Sequence, residues 1–182
     1  MDGYKDLVKL ATMPLPAHLP LGDVEPRRKL RENLGCHNFE WFLNNVATTV
    51  AVPEVPGKGT PLGALRNQDG RCMDTLGATA DGATIGLFPC HGQNGAQAFV
   101  MDAEGLLRIP ILDYIKCLAA KGDDVVIRRC KEGATYLRWR WEERSQQMVA
   151  RKQRKCLQAA PGQVLKVAAC EEGSPSQRWT WT

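Results

Sequence analysis

Gln97-Ala98-Phe99, Leu137-Arg138-Trp139 and Gln177-Arg178-Trp179 stand 40 residues apart in a chain of 182. Each triplet closes a segment that a cysteine pair opens. Cys72 and Cys90 have 17 residues between them, Cys117 and Cys130 have 12, and Cys156 and Cys170 have 13. The leading cysteines begin similar triplets, Cys72-Met73-Asp74, Cys117-Leu118-Ala119 and Cys156-Leu157-Gln158. Three features in register over three copies establish an internal repeat. A unit of this length cannot bury its apolar face alone, so neighbouring copies must share a core.

Between these landmarks the chain reads as short strands. Val125-Val126-Ile127 and Val164-Leu165-Lys166-Val167 are β-rich runs leading into Cys130 and Cys170. Strand side chains alternate faces, which places Gln97, Phe99 and Met101 on one side, with Leu137, Trp139, Trp141 and Gln177, Trp179, Trp181 as counterparts. Large aromatics at symmetric positions predict a common threefold core, not ligand platforms. The expected fold is mainly β, a β-trefoil over residues 62–182. Its expected staples are Cys72–Cys90, Cys117–Cys130 and Cys156–Cys170, each worth ~3 kcal/mol by loop closure. Zinc is the competing use of cysteine. The chain has no CxxC spacing, and its histidines are only His18, His37 and His91, so no metal site is expected.

Bulk properties narrow the classes further. The net charge is +4, with 24% charged and 43% hydrophobic residues, an ordinary globular composition. The basic runs Arg27-Arg28-Lys29 and Arg151-Lys152-Gln153-Arg154-Lys155 are short and lack interleaved aromatics, so they read as solvated faces and no nucleic-acid partner is expected. No apolar run reaches the ~18 residues of a membrane span. Met1 is not followed by a basic and then apolar leader, yet seven cysteines imply an oxidising compartment. Together these lead us to expect part of a longer protein.

The first sixty residues differ in character. Asp23 is expected to cap a helix that takes Pro26 in its first turn and stops at Gly35. Asn38 should cap a second helix, with Phe39, Phe42, Leu43 and Val46 on one face. That stripe is expected to pack on the trefoil or on protein beyond this chain. Residues 47–61, with Pro53, Pro56, Gly57, Gly59 and Pro61, read as a linker. Cys36 is the odd cysteine, and its partner is expected outside this sequence.

The run Met1-Asp2-x-Tyr4-Lys5, then Gly22-Asp23-Val24, then Arg27-x-x-Leu30-Arg31-x-x-Leu34-x-Cys36-x-x-Phe39-x-Trp41-Phe42-Leu43-x-Asn45-Val46, resembles the end of the catalytic domain of polypeptide N-acetylgalactosaminyltransferases. In that family a ricin B-type lectin trefoil follows. The resemblance implies that residues 1–46 are the helical tail of an incomplete catalytic domain and 62–182 the lectin domain. It implies a type II Golgi membrane protein in the secretory pathway, one that uses manganese and UDP-GalNAc to begin mucin-type O-glycosylation. It also implies that Cys36 pairs with a catalytic-domain cysteine. The family's metal motif DxH is absent here, as is DxD, and Ser145, Ser174 and Ser176 lie in no nucleophile motif. This chain is therefore expected to have no catalytic residues, to hold no cofactor and to transfer no sugar alone.

The same resemblance assigns a sugar site to the first repeat. Asp74 matches the family's sugar-binding carboxylate, Phe88 the stacking ring, and His91 the residue after the second cysteine. Gln97 matches the family's Gln, but Ala96 stands where the family has Asn. Asn94 or Gln93 would compensate, and the lost hydrogen bond is worth ~1 kcal/mol. The second repeat has Ala119 and Leu137 and the third has Gln158, so neither is expected to bind the sugar. The expected partner is a GalNAc-bearing glycopeptide, together with the parent's catalytic domain. Two other readings remain: a trefoil scaffold whose sugar sites have decayed, and a binding domain of some other secreted protein, against which the leading helices speak.

Overall fold

The computed structural model describes residues 22–49, 61–112 and 115–182, which fall into two compact units. Most of the expected linker lies outside the described residues, as do residues 1–21 of the leading segment.

The larger unit is a β-trefoil. After β1 (Leu62–Gly63), the first repeat comprises β2 (Leu65–Asn67), β3 (Arg71–Asp74), β4 (Gly86–Pro89) and β5 (Phe99–Met101). The second contains β6 (Leu107–Arg108), β7 (Lys116–Lys121), β8 (Asp124–Arg129) and β9 (Trp139–Glu142). The third runs through β10 (Gln147–Ala150), β11 (Lys155–Ala159), β12 (Leu165–Ala169) and β13 (Trp179–Trp181). The last strand of each repeat pairs antiparallel with the first strand of the next: β5 with β6, β9 with β10, and β13 back with β2. This cyclic pairing closes the barrel wall and leaves no strand edge open between repeats.

The middle two strands of each repeat form a hairpin, and the three hairpins meet pairwise. Thr84 bridges Val126, Asp124 pairs with Lys166, and Gly86 bridges Val164. Polar side chains follow the same circuit. Arg128 of the second hairpin donates to Asp81 of the first at 2.7 Å, Lys155 of the third donates to Asp123 of the second at 2.5 Å, and Arg71 of the first donates to the Ala160 carbonyl of the third at 3.2 Å. The hydrogen bond from Arg128 holds the Asp81 carboxyl below its ordinary range, and that from Lys155 does the same for Asp123. A lowered carboxyl contributes stability above its unfolded value and loses it as the pH falls through the folded one. Both acids are solvent-exposed, so these ties contribute little.

Each expected disulfide is formed, with Cα–Cα distances of 5.0, 5.0 and 4.9 Å. Each joins the hairpin's first strand to the residue just after its second, stapling the open end. Phe99, Trp139 and Trp179 are fully buried at symmetric positions. The two indoles also donate across the repeat, Trp139 Nε1 to the Leu118 carbonyl at 2.8 Å and Trp179 Nε1 to that of Leu157 at 3.0 Å. Trp141 and Trp181 are half-buried, packed edge to face with ring centroids 6.4 Å apart.

The shared face expected for each triplet and the aromatics behind it needs correcting. Gln97, Leu137 and Gln177 end short 3-10 turns, Gly95–Gln97, Thr135–Leu137 and Pro175–Gln177, and are not strand residues. The strand period of two begins only at the aromatic. The preceding residue turns toward its own hairpin instead of the barrel.

In the helical unit, α1 (Glu25–Asn33) begins one residue later than expected, with Val24 at the cap position. Asp23 still serves the helix start, accepting from Glu25 N–H at 2.9 Å. Gly35, at φ 58°, ends it in a Schellman arrangement, with Cys36 N–H donating to the Arg31 carbonyl and Gly35 N–H to that of Glu32. Asn38 caps α2 (Phe39–Asn45) through its side chain, which accepts from Trp41 N–H at 2.7 Å. Leu43 is buried, while Phe39, Phe42 and Val46 of the apolar stripe are exposed. Cys36 is an exposed free thiol.

One close approach holds the barrel wall together. Gly105 accepts from Trp139 N–H at 2.7 Å, and a Cβ on Gly105 would sit 2.4 Å from the Trp139 carbonyl oxygen. Its φ of 83° also disfavours any side chain. Gly105→Ala should therefore lower unfolding free energy by more than ~1 kcal/mol in urea titration. An unchanged midpoint would show that the wall tolerates a wider gap there.

Candidate functional site

The candidate site lies on the outer face of the first hairpin. Strands β3 and β4 pair Asp74 with Gly86 and Cys72 with Phe88. Cross-strand partners share a face, so the Asp74 carboxylate and the Phe88 ring are diagonal neighbours on it. Phe88 leaves its ring exposed, unusual for a residue so close to a disulfide, while Asp74 is buried at 5% exposure. Gly86 has no room for a side chain: a Cβ would meet the Gln163 carbonyl at 2.4 Å.

A buried carboxylate is costly without hydrogen bonds. Asp74 has them on both oxygens. Oδ1 accepts from Leu76 N–H at 2.7 Å, and Oδ2 accepts from Gln97 Nε2 at 2.9 Å. The first bond helps hold Leu76 in a left-handed conformation, at φ 52°. Gln97 is itself buried and fully engaged. Its Nε2 also donates to the Pro89 carbonyl at 3.1 Å, and its Oε1 accepts from His91 N–H at 3.2 Å. One carboxamide thus ties together the carboxylate, the end of β4 and the residue after Cys90.

His91 is oriented as well. Its Nδ1 accepts from Gln93 N–H at 3.1 Å, which leaves the ring proton on Nε2, and Nε2 points at Asp74 Oδ2 from 3.9 Å. The sequence-assigned residues therefore separate into two groups. Asp74, Phe88 and His91 converge on one surface. Gln97 stands behind Asp74 and positions it. Asn94 caps the 3-10 turn at φ 56°, and Ala96 lends its carbonyl to Thr75 N–H at 3.0 Å.

The third repeat repeats this scaffold with different chemistry. Gln177 Nε2 donates to the Ala169 carbonyl at 2.7 Å and weakly to Gln158 Oε1 at 3.4 Å, and Gln177 Oε1 accepts from Glu171 N–H at 2.9 Å. Gln147, missed in the sequence, joins through Nε2 at 3.2 Å from Gln177 Oε1. In the second repeat the same places hold Leu106, Ala119 and Leu137, which form a small buried apolar cluster around Cys117. The three copies thus use an acid–amide pair, an amide trio and a hydrocarbon cluster in one location.

Residues 61–179 match the ricin-type β-trefoil lectin domain. The chain belongs to that lectin family. It is 36% identical over 134 residues to polypeptide N-acetylgalactosaminyltransferase 6 of Bos taurus, a match covering 71% of this chain and 21% of that protein. The chain spans about a fifth of the length of such curated relatives. Among solved structures, GalNAc-T7 with UDP, GalNAc and Mn2+ superposes with a TM-score of 0.65 at 24% identity, over 91% of this chain and 31% of that one. The C-half of an earthworm R-type lectin, in complex with GalNAc, superposes with a TM-score of 0.55 at 15% identity, over 66% of this chain and 96% of that one. Both superpositions concern the fold.

The acid–amide pair should behave as a unit. Gln97→Leu strands the Asp74 carboxylate and should cost ~2 kcal/mol in chemical denaturation. Asp74→Ala combined with Gln97→Leu reproduces the pairing of Ala119 with Leu137, so the double variant should be less destabilised than the sum of the singles. A coupling of ~1 kcal/mol is expected, and strict additivity would show that the two side chains act independently.

Proposed function

We propose that this chain is the carbohydrate-recognition portion of a polypeptide GalNAc-transferase acting in mucin-type O-glycosylation, and that its first repeat binds GalNAc on glycopeptides. The observation that carries this reading is the Asp74 carboxylate, fixed by Gln97 and Leu76 beside the exposed Phe88 ring. Sugar recognition needs an anchored acceptor for hydroxyls and an apolar plane for the sugar's C–H face. Asp74 offers the first and Phe88 the second. A hydroxyl placed between His91 Nε2 and Asp74 Oδ2 would accept from the imidazole and donate to the carboxylate. Asn94 stands at the rim for a further polar contact.

Support also comes from relatives: an earthworm lectin of this fold is solved with GalNAc bound, and curated proteins similar over this stretch are GalNAc-transferases. Catalysis in this reading belongs to a domain beyond the matched stretch, which would also supply a partner for Cys36 and a surface for Phe39, Phe42 and Val46. Manganese and UDP-GalNAc belong to that domain. The residues present do not suit them, because the chain contains neither DxH nor DxD. The compartment implied is the Golgi lumen. A scaffold with a decayed site is the second reading, and one feature favours it, the methyl group of Ala96 where the family carries an amide.

Titration of the chain with GalNAc separates the two. Saturable binding with a dissociation constant of order 1 mM, about −4 kcal/mol, is expected for the wild type and should be lost in Asp74→Ala. Wild-type protein that shows no saturation would favour the scaffold. The purified chain should also transfer no GalNAc from UDP-GalNAc to a threonine peptide, and measurable transfer would overturn the assignment of catalysis elsewhere.

A further inference from the structure

The second repeat lost its sugar carboxylate, but the place where it would stand is not featureless. A cleft of about 650 Å³ opens there, lined by Ala119, Lys121, Arg128, Arg129, Lys131 and Tyr136, with Asp81 at one side. Four cations thus face one acid. Asp81 is already committed, since its Oδ2 accepts from Arg128 at 2.7 Å and its Oδ1 from Arg129 N–H at 2.9 Å. The side chains of Lys121, Arg129 and Lys131 form no salt bridge among the described residues, and this leaves three unmatched positive charges in one concavity.

This clustering is peculiar to one repeat. The positions two before, one before and one after the second cysteine hold Phe88, Pro89 and His91 in the first repeat and Ala168, Ala169 and Glu171 in the third. In the second they hold Arg128, Arg129 and Lys131. The change from carboxylate to Ala119 belongs to the same pattern. An aspartate there would repel an anion, whereas alanine leaves an uncharged floor. Tyr136, at the place of Ala96 and Ser176, adds a ring that is 43% exposed. A planar guanidinium beside an exposed aromatic suits a ring-shaped ligand with an acidic substituent. The ring would take the C–H face and the cations would take the acid.

We infer that the second-repeat cleft binds an acidic saccharide, a sugar bearing a sulfate or carboxylate group, through Arg129, Lys131 and Tyr136. It does so independently of the first repeat, so the assignment stands whether or not Asp74 binds GalNAc.

The test is calorimetric titration of the full chain and of Asp74→Ala, the latter to remove the first-repeat site. The probes are N-acetylgalactosamine 4-sulfate, glucuronic acid, neutral GalNAc, inorganic sulfate and an oligoglutamate peptide. In Asp74→Ala, at least one acidic sugar should bind about tenfold more tightly than GalNAc or inorganic sulfate, and which one does so identifies the acid. Adding Arg129→Ala and Lys131→Ala should weaken that binding about tenfold or more, with circular dichroism confirming the fold. Adding Tyr136→Ala should reduce the acidic sugar to the affinity of inorganic sulfate. Three results would overturn the proposal. Equal affinity for inorganic sulfate and the acidic sugars would mean an adventitious ion only. Binding unaffected by loss of Arg129 and Lys131 would place the site elsewhere, and tighter binding of oligoglutamate would make the ligand a peptide.

Discussion

The fold turns on a hydrogen bond that spans each repeat. In two of three copies a buried indole on the last strand donates to the backbone of the hairpin's first strand, Trp139 to Leu118 and Trp179 to Leu157. This bond links the two layers of the trefoil, barrel wall below and hairpin triangle above, with a donor that would otherwise be an orphan in a dry core. Phe99 fills the same place in the first repeat without a donor. Steric filling is therefore the common requirement, and the indole bond is an addition where the pocket allows it. Trp181 shows the contrast: its Nε1 is buried with no partner among the described residues, and it lies farther down the strand, half-buried beside Trp141.

Once the aromatics and disulfides hold each hairpin in place, the outer pocket beside each cysteine pair is released from the duty of folding. Its interior must still be self-consistent, because a buried polar group without a partner costs more than an apolar one. The three copies satisfy this in three ways, and each does so as a complete set. Asp74 comes with Gln97, Gln158 comes with Gln177 and Gln147, and Ala119 comes with Leu137 and Leu106. No copy mixes a carboxylate with a leucine behind it.

The threefold frame was legible because its signals are covalent or large. Cysteines recur at fixed places, and an aromatic follows each second cysteine at nearly constant distance. The first-repeat site was legible only as residue identities. That Gln97 works from behind Asp74 follows from the 3-10 turn at Gly95–Gln97, and a strand-period reading does not anticipate that turn. The cap at Val24 in place of Asp23 is a shift of one residue that a side chain with reach to Glu25 N–H makes energetically slight. Gln147 escaped notice because it lies eleven residues before its hairpin's second strand partner, Gln158, and meets Gln177 only when the barrel closes.

The basic cleft was hidden for a related reason. Arg128-Arg129-Cys130-Lys131 is contiguous, but a disulfide cysteine interrupts it, and it is shorter than the run at 151–155 that draws attention first. Its meaning depends on three residues from elsewhere. Asp81 arrives from the first hairpin and neutralises one arginine, Tyr136 comes from the turn after Cys130, and Ala119 comes from the facing strand. Charge in a sequence is a count, whereas charge in a cleft is what remains after neighbours have been paired. For the run at 151–155, Lys155 is spent on Asp123 and Arg154 sits in a left-handed turn on the surface, so the longer run carries less unmatched charge in any one concavity. A pseudo-symmetric fold makes this difference readable, because the first and third repeats supply the same backbone without the cations.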